Sequence, residues 1–194
     1  EAYVIFGTDQ GFGTNVSGRQ VIDLSTFTSA EGFIIQGAAA FDRAGVSVSS
    51  AGDVNGDGFA DMVVGAVGGD GGGSGAGDTY VLYGGNQGFG SDVSGRQVID
   101  LTNLSATQGF IIQGEETRNY AGISVSSAGD INGDGFDDVI VGASRAIQGG
   151  KAYVIFGTDT DFGTDVSGRQ VIDLSALSGS QGFIIEGSDS NSRT

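Results

Sequence analysis

The chain has no cysteine, no proline and no histidine among its 194 residues, and only 8 lysines and arginines stand against 24 acids. Each absence excludes something. Without cysteine there is no disulfide framework and no thiolate metal site, so any staple must be of another kind. Without histidine, zinc sites and most acid–base chemistry near neutral pH lose their usual residue. A formal charge of −16 argues against nucleic acid and against an anionic membrane surface, because both demand Lys and Arg. Such a charge repels itself unless cations neutralise part of it. No apolar run approaches the ~20 residues of a membrane span, so no membrane insertion is expected.

What is abundant is glycine, with 38 residues. It lacks the every-third-position period of collagen. Large apolar residues come in tight runs, which argues against disorder. Glycine therefore belongs to many tight turns.

The chain repeats. "AYVIFG" at 2–7 returns as "TYVLYG" at 79–84 and "AYVIFG" at 152–157. "NVSGRQVIDL" at 15–24 returns as "DVSGRQVIDL" at 92–101 and 165–174, and "GFIIQG" at 32–37 returns at 109–114 and, as "GFIIEG", at 182–187. The offsets are 77 and then 73 residues. The difference sits in one segment, twelve residues at 67–78 ("VGGDGGGSGAGD") against eight at 144–151 ("SRAIQGGK"). A connection that varies while its flanks do not is a surface loop, read here as a hairpin tip. It is not a phosphate cradle, because no helix-like segment follows it and its equivalent lacks the glycines.

Each repeat reads as four short strands, "GVSVSSA", "DMVVGA", "TYVLYG" and "GFIIQG" in the first complete copy. The last three are nearly continuous apolar runs, as expected of strands buried on both faces. The segment 20–31, "QVIDLSTFTSAE", is the one place that suggests a short helical turn. Four-stranded sheets repeated at fixed spacing must stack, radially as a β-propeller or linearly as a solenoid. The β-helix fits less well, since its coils are usually shorter than ~73 residues.

Two segments carry the chemistry: "DVNGDGFAD" at 53–61 and "DINGDGFDD" at 130–138. Oxygens at positions 1, 3 and 5 come from Asp53, Asn55 and Asp57. The Phe59 carbonyl can serve position 7, and Asp61 closes position 9. The second loop offers Asp130, Asn132, Asp134, the Phe136 carbonyl and Asp138. Six hard oxygens, seven with a water, suit Ca²⁺ better than the strict octahedron of Mg²⁺. Two calcium sites are expected. An EF-hand is excluded, because Val64 and Val141 stand at position 12 where the closing glutamate belongs, and a β-branched strand follows. The metal would pin a β-hairpin. The same residues also favour turns without metal, but a turn alone does not need acids at positions 1, 5 and 9 in both copies.

The run "AGDVNGDGFADMVVGA" followed by "YVLYG" resembles the FG-GAP repeat of integrin α-subunit propellers and their bacterial relatives, and the resemblance extends over essentially the whole chain. It implies an all-β chain of β-propeller blades, each of four antiparallel strands, with the calcium loop between the first and second strands. The expected units are a half-blade at 1–42 and full blades at 43–119 and 120–194. One departure is visible: the "FG" that often opens the unit is "AG" at Ala44–Gly45 and Ala121–Gly122, with packing and not metal binding expected to feel the change. Family propellers usually have about seven blades, so this stack stays unclosed. The chain starts at Glu1 without methionine and reads as a piece of a longer protein, a subunit whose half-blade another copy completes, or a unit of an open polymer.

Arg19, Arg96 and Arg169 recur in "SGRQ" and are expected to form structural ion pairs. Tyr3, Tyr80 and Tyr153 are expected to pack between blades. Asn15 and Asn103 begin N-x-S sequons, which matter only in a glycosylating secretory system. There is no RGD tripeptide and no catalytic constellation. The expected function is a non-enzymatic, calcium-stabilised structural, adhesion or interaction module, extracellular or at the cell surface, where millimolar calcium fills such sites. A protein or glycan partner fits that reading. The alternatives are the propeller part of a secreted lyase, hydrolase or phospholipase, and a calcium-dependent carbohydrate-binding module.

Overall fold

The computed structural model describes residues 1–146 and 149–188. The end of the third expected unit, 189–194, and positions 147–148 of its hairpin tip lie outside the described residues. The described residues form an all-β chain with sixteen short strands among them. The first repeat supplies β1 (Ala2–Ile5), β2 (Thr14–Val16), β3 (Arg19–Val21) and β4 (Gly32–Gln36). The second supplies β5 (Ser47–Gly52), β6 (Asp61–Ala66), β7 (Asp78–Leu82), β8 (Ser91–Val93), β9 (Arg96–Asp100) and β10 (Gly109–Gln113). The third supplies β11 (Ala121–Gly129), β12 (Asp138–Ala143), β13 (Lys151–Ile155), β14 (Thr164–Val166), β15 (Arg169–Asp173) and β16 (Gly182–Glu186).

The four expected strands of each full repeat pair as expected. β5, β6, β7 and β10 lie side by side and antiparallel, as do β11, β12, β13 and β16. The sheets do not end there. The "RQVID" segment, expected to lead into a helical turn, is instead a strand. β9 adds parallel to β4, pairing Ile34 with Val98 and Ile35 with Ile99. β15 adds parallel to β10 in the same register, Ile111 with Val171 and Ile112 with Ile172. So the second and third repeats each send a hairpin back to the sheet of the repeat before. The middle sheet has six strands, in the order β14-β15-β10-β7-β6-β5, and is not purely antiparallel.

The local sequence explains the hairpin. At each tip a serine and a glycine both take positive φ, Ser17 and Gly18, Ser94 and Gly95, Ser167 and Gly168. That is the two-residue primed turn that matches strand twist. The preceding Asn15, Asp92 or Asp165 accepts from the glycine N–H at 2.9, 3.1 and 3.0 Å. The helical turn exists in shorter form, as one 3-10 turn over Leu24–Thr26, Leu101–Asn103 and Leu174–Ala176. Asp23, Asp100 and Asp173 cap these turns through their side chains.

The apolar runs are continuous because both faces are buried. Val63, Val81, Phe110 and Ile112 face the third repeat and join its Val139, Val141, Tyr153 and Ile155 in one cluster. Val64, Tyr80, Leu82 and Ile111 face the other way and join Phe33, Ile35 and Ile99 in a second. Each fully buried aliphatic residue contributes roughly 1.5–3 kcal/mol relative to exposure. Tyr80 and Tyr153 thus lie between sheets, as expected, while Tyr3 is half-buried and edge-on to Phe27 at 5.6 Å.

The first strands hold a surprise. Val46 and Val48 of the β5 segment are exposed. The equivalent Val125 is half-buried against the cluster it shares with the middle sheet. Val48 faces the first repeat, which contributes only β1 and β4 to its sheet, and a largely apolar cavity of about 430 Å³ lies there, lined by Tyr3, Ile35, Val48 and Val64. Neighbouring sheets approach closely at Gly65, where a Cβ would stand 2.0 Å from the Gly122 carbonyl oxygen. Ser47 donates to that same carbonyl at 2.6 Å.

The expected ion pairs of the "SGRQ" arginines do not form among the described residues. Arg96 donates to the Leu24 carbonyl at 3.3 Å, and the Arg169 Nε is buried without a partner. The ion pairs that do form there join Lys151 to Glu115 and Glu186, at 2.7 and 3.3 Å. Arg96 and Arg169 are half-buried on β9 and β15, and Arg169 stands near enough to Asp78 to lower its carboxyl without forming an ion pair.

Candidate functional site: two acidic loops

Each acidic loop joins the first strand of a sheet to the second, β5 to β6 and β11 to β12. Two glycines in each take positive φ, Gly56 and Gly58 in the first loop, Gly133 and Gly135 in the second. They let the backbone curl around its own side chains.

The wiring is the same in both, apart from one added bond from Gly133 in the second. Asp53 accepts from the N–H groups of Asp57 and Gly58 at 3.1 and 2.9 Å. Asn55 accepts from the Asp57 N–H at 3.0 Å and donates from Nδ2 to Asp57 Oδ2 at 3.0 Å. Asp57 in turn accepts from the Phe59 N–H at 2.9 Å. In the second loop Asp130 accepts from Gly133, Asp134 and Gly135, Asn132 bonds Asp134 both ways, and Asp134 accepts from Phe136.

Asp61 and Asp138 differ from the rest. Both are fully buried. Asp61 accepts from the Val54 N–H at 2.9 Å with one oxygen and from the Gly84 N–H at 2.8 Å with the other. Asp138 does the same with Ile131 and Gly157, both at 3.0 Å. Each fixes its own loop to the segment that leaves the third strand of the sheet. Burial pushes the Asp61 carboxyl up to about 6; the Gly84 and Val54 N–H groups draw it down, and Asp57 and Asp53 push it up again.

Among the described residues no three Asp, Glu, His or Cys side chains stand in metal-holding geometry. The donor set nevertheless fits a hard cation. It is all oxygen, the donor chemistry a hard cation takes, and the charges of Asp57 and Asp53 both act on the Asp61 carboxyl. Each carboxylate oxygen keeps a second lone pair beside the one its backbone partner uses. Asp53, Asn55, Asp57, Phe59 and Asp61, and Asp130, Asn132, Asp134, Phe136 and Asp138, are the residues that would hold it.

The two loops are also stitched to each other. The Asp137 carboxylate accepts from the Asp53 N–H at 2.8 Å, and the Asp137 N–H donates to the Asp53 carbonyl at 3.0 Å. Thr158 N–H donates to the Val54 carbonyl at 2.9 Å. The Phe136 ring lies over Gly56, where a Cβ would meet it at 2.5 Å. Asp137 was not among the residues the sequence singled out. Its one signal is position 8 of the loop, where "GFDD" carries an acid and "GFAD" carries Ala60. A polar cavity of about 430 Å³ opens beside the first loop, walled by Asn55, Asp57, Thr158, Asp159, Asp161 and Gln170.

Residues 44–82 and 121–155 each match the family model of the FG-GAP repeat. Each matched segment takes in the first strand, the acidic loop and the second strand, and ends with the third. No curated protein matches the chain.

Proposed function

Since the chain carries two FG-GAP repeats, we propose that it is a calcium-stabilised β-propeller segment that serves as a structural, adhesion or interaction module. FG-GAP repeats are structural or interaction modules and occur mostly in extracellular proteins. The reading therefore takes this chain as non-enzymatic and as extracellular or cell-surface. The sheets become blades, stacked face to face with a shared apolar core between each pair.

The observation that supports the calcium reading is the closely matching wiring of two loops, with a buried aspartate closing each. Several carboxylates held on one short loop repel each other, and a divalent cation removes that cost only in the folded state. Calcium bound there would join loop, second strand and third-strand exit into one unit. A protein or glycan partner would use the exposed loops of such a scaffold. The acidic surface excludes nucleic acid from the reading, and no helix among the described residues is long and apolar enough to cross a membrane.

The test is thermal unfolding with and without calcium. At millimolar calcium, if the dissociation constant lies near ~10 µM, two sites add about 5 kcal/mol. The melting temperature should fall sharply on chelation. Asp57→Ala with Asp134→Ala should remove the difference while leaving the chain folded. An unchanged melting temperature on chelation overturns the calcium reading.

A further inference from the structure

The second and third repeats are nearly identical around their acidic loops, so the positions where they differ stand out. One group of differences lies at the lead-in to the first strand and at the end of the second. Arg43 stands where the third repeat has Tyr120, and Arg145 stands where the second has Gly68. The backbone around them is tied in the same way in both repeats. The Gly68 N–H donates to the Asp42 carbonyl at 3.0 Å, and the Arg145 N–H donates to the Asn119 carbonyl at 3.3 Å. The Val46 N–H donates to the Arg43 carbonyl at 3.1 Å, and the Ile123 N–H donates to the Tyr120 carbonyl at 3.2 Å. Arg43 and Tyr120 both take a left-handed φ, 57° and 56°. A fold that builds the same turn around an arginine in one copy and a tyrosine in the other requires neither side chain.

These side chains meet in one cavity of about 330 Å³ at the junction of the two repeats. Arg43 and Val67 line it from the second repeat, and Tyr120, Ile123, Ser144 and Arg145 from the third. The Arg145 guanidinium lies over the Tyr120 ring, 4.9 Å from its centroid. That contact uses the π-face of the ring and consumes none of the guanidinium N–H donors. Among the described residues neither Arg43 nor Arg145 has an ion-pair or side-chain hydrogen-bond partner, and both ion pairs found there belong to Lys151. Asp42, next to Arg43 in the chain, is buried, and its charge acts on Asp78. The chain has 24 acids against 8 bases, so acids to pair with are plentiful. Two arginines left unpaired on one cavity are an exception on such a surface.

We propose that this cavity is a protein-interaction site that takes an aspartate or glutamate side chain of a partner. A carboxylate can accept from both guanidiniums at once, and such charge-assisted bonds are the strong ones. Val67 and Ile123 give the methylene stem of that side chain an apolar wall. Arginine and tyrosine beside an apolar wall are the composition of an interface hot spot. The matched backbone bonds hold the site ready before the partner arrives, which lowers the cost of binding. The cavity suits a single side chain. A nucleic acid would meet the remaining charge of −16. The same charge favours a partner that is basic around its one acid. The proposal rests on the reading of the chain as an interaction module and adds the partner's chemistry; it does not rest on calcium.

The probe is a capped aspartate, N-acetyl-aspartate N-methylamide, titrated into the isotope-labelled 194-residue chain and followed by NMR. The capped asparagine is the control. The Nε–H signals of Arg43 and Arg145 should shift and saturate, with a dissociation constant of about 1 to 10 mM. The capped asparagine should shift neither. Affinity should fall as salt rises from about 0.1 to about 1 M, which shortens the screening length roughly threefold. Both arginines are exposed, so their substitution spares folding. Arg43→Asn keeps a residue that tolerates the left-handed turn, and Arg145→Gln keeps a long polar side chain. Each should weaken binding about tenfold. Arg19→Gln removes the same charge at an exposed position outside the cavity and should leave binding unchanged. The proposal is overturned if no signal saturates, or if the capped asparagine binds equally well. Binding that Arg43→Asn or Arg145→Gln leaves unchanged also overturns it. Methyl glucuronide that binds more tightly than the capped aspartate gives the cavity to an acidic glycan and removes the protein partner. A failed titration on a chain that keeps its native spectrum removes this site alone, and the calcium reading stands or falls on its own melting test.

Discussion

The Asp137 carboxylate accepts a hydrogen bond from the backbone N–H of Asp53, 84 residues away, at 2.8 Å. The second loop therefore helps to shape the first. A Cβ at Gly52 would stand 2.2 Å from the same carboxylate oxygen, so the glycine makes room for it. Asp137→Ala should cost about 1 to 3 kcal/mol, because it leaves a partly buried N–H without its charged acceptor. Ala60→Asp places the same acid in the first loop, which has no earlier loop to reach. It should change stability by no more than about 0.5 kcal/mol. Urea unfolding of both variants decides the point.

Asp61 and Asp138 act as clasps whether or not metal is present. Each uses both carboxylate oxygens on backbone N–H groups. Asp61→Asn turns one acceptor into a donor that faces an N–H. The loss should be about 2 kcal/mol or more, and it should persist in chelator. A loss that vanishes in chelator would mean that Asp61 acts through calcium alone.

The stacked phenylalanines offer a comparison within one chain. Phe110→Ala empties the core against Phe162 and should cost about 3 to 5 kcal/mol. Phe12→Ala removes the repeat-equivalent of Phe162 where nothing covers it, and should cost the single chain less than about 0.5 kcal/mol. Urea unfolding of the two variants measures both.

Asp78 opens β7 and is buried, with Oδ1 lacking a hydrogen-bond partner. Burial pushes its carboxyl up to about 6; the Gly71 N–H lowers it, Asp42 raises it, Arg169 lowers it and Asp70 raises it. The folded chain then holds a proton that the unfolded chain, at about 3.8, has released. Stability should fall as pH rises from about 4 to 6, and the loss is complete above that. Overall negative charge gives a slope of the same sign, so the variant is the control. Asp78→Asn should gain on the order of 1 to 3 kcal/mol at pH 7.5 and almost nothing at pH 4. Equal gains at both values would remove Asp78 as the cause.

Much of this was legible in the residues. Continuous apolar runs such as "MVVGA" and "YVL" announce strands buried on both faces, and Val63 and Val64 do point into different clusters. The loops were legible too, as acids at alternate positions followed by a strand. "RQVID" was not read as a strand, because Arg, Gln and Asp interrupt its apolar pattern. Its "SG" turn, with Asn or Asp two residues before the serine, was the signal that could have found it. Val46 and Val48 alternate as a buried face would; the first sheet's small size leaves Val48 exposed where Val125 is half-buried, while Val46 is exposed like its counterpart Ile123.

By itself the sequence determined the repeat, the order of strands within it and the residues of each loop. Those follow from local patterns, because turn chemistry and alternation act over a few residues. Only the tertiary structure decided which sheet the "RQVID" hairpin joins, that Asp137 of one loop serves Asp53 of another, and which copy of "GFII" stays uncovered. Those depend on what stands next to a strand in space, and identical segments carry no mark of their neighbours. Phe33, Phe110 and Phe183 have the same local sequence, and two are buried only because another repeat lies against them.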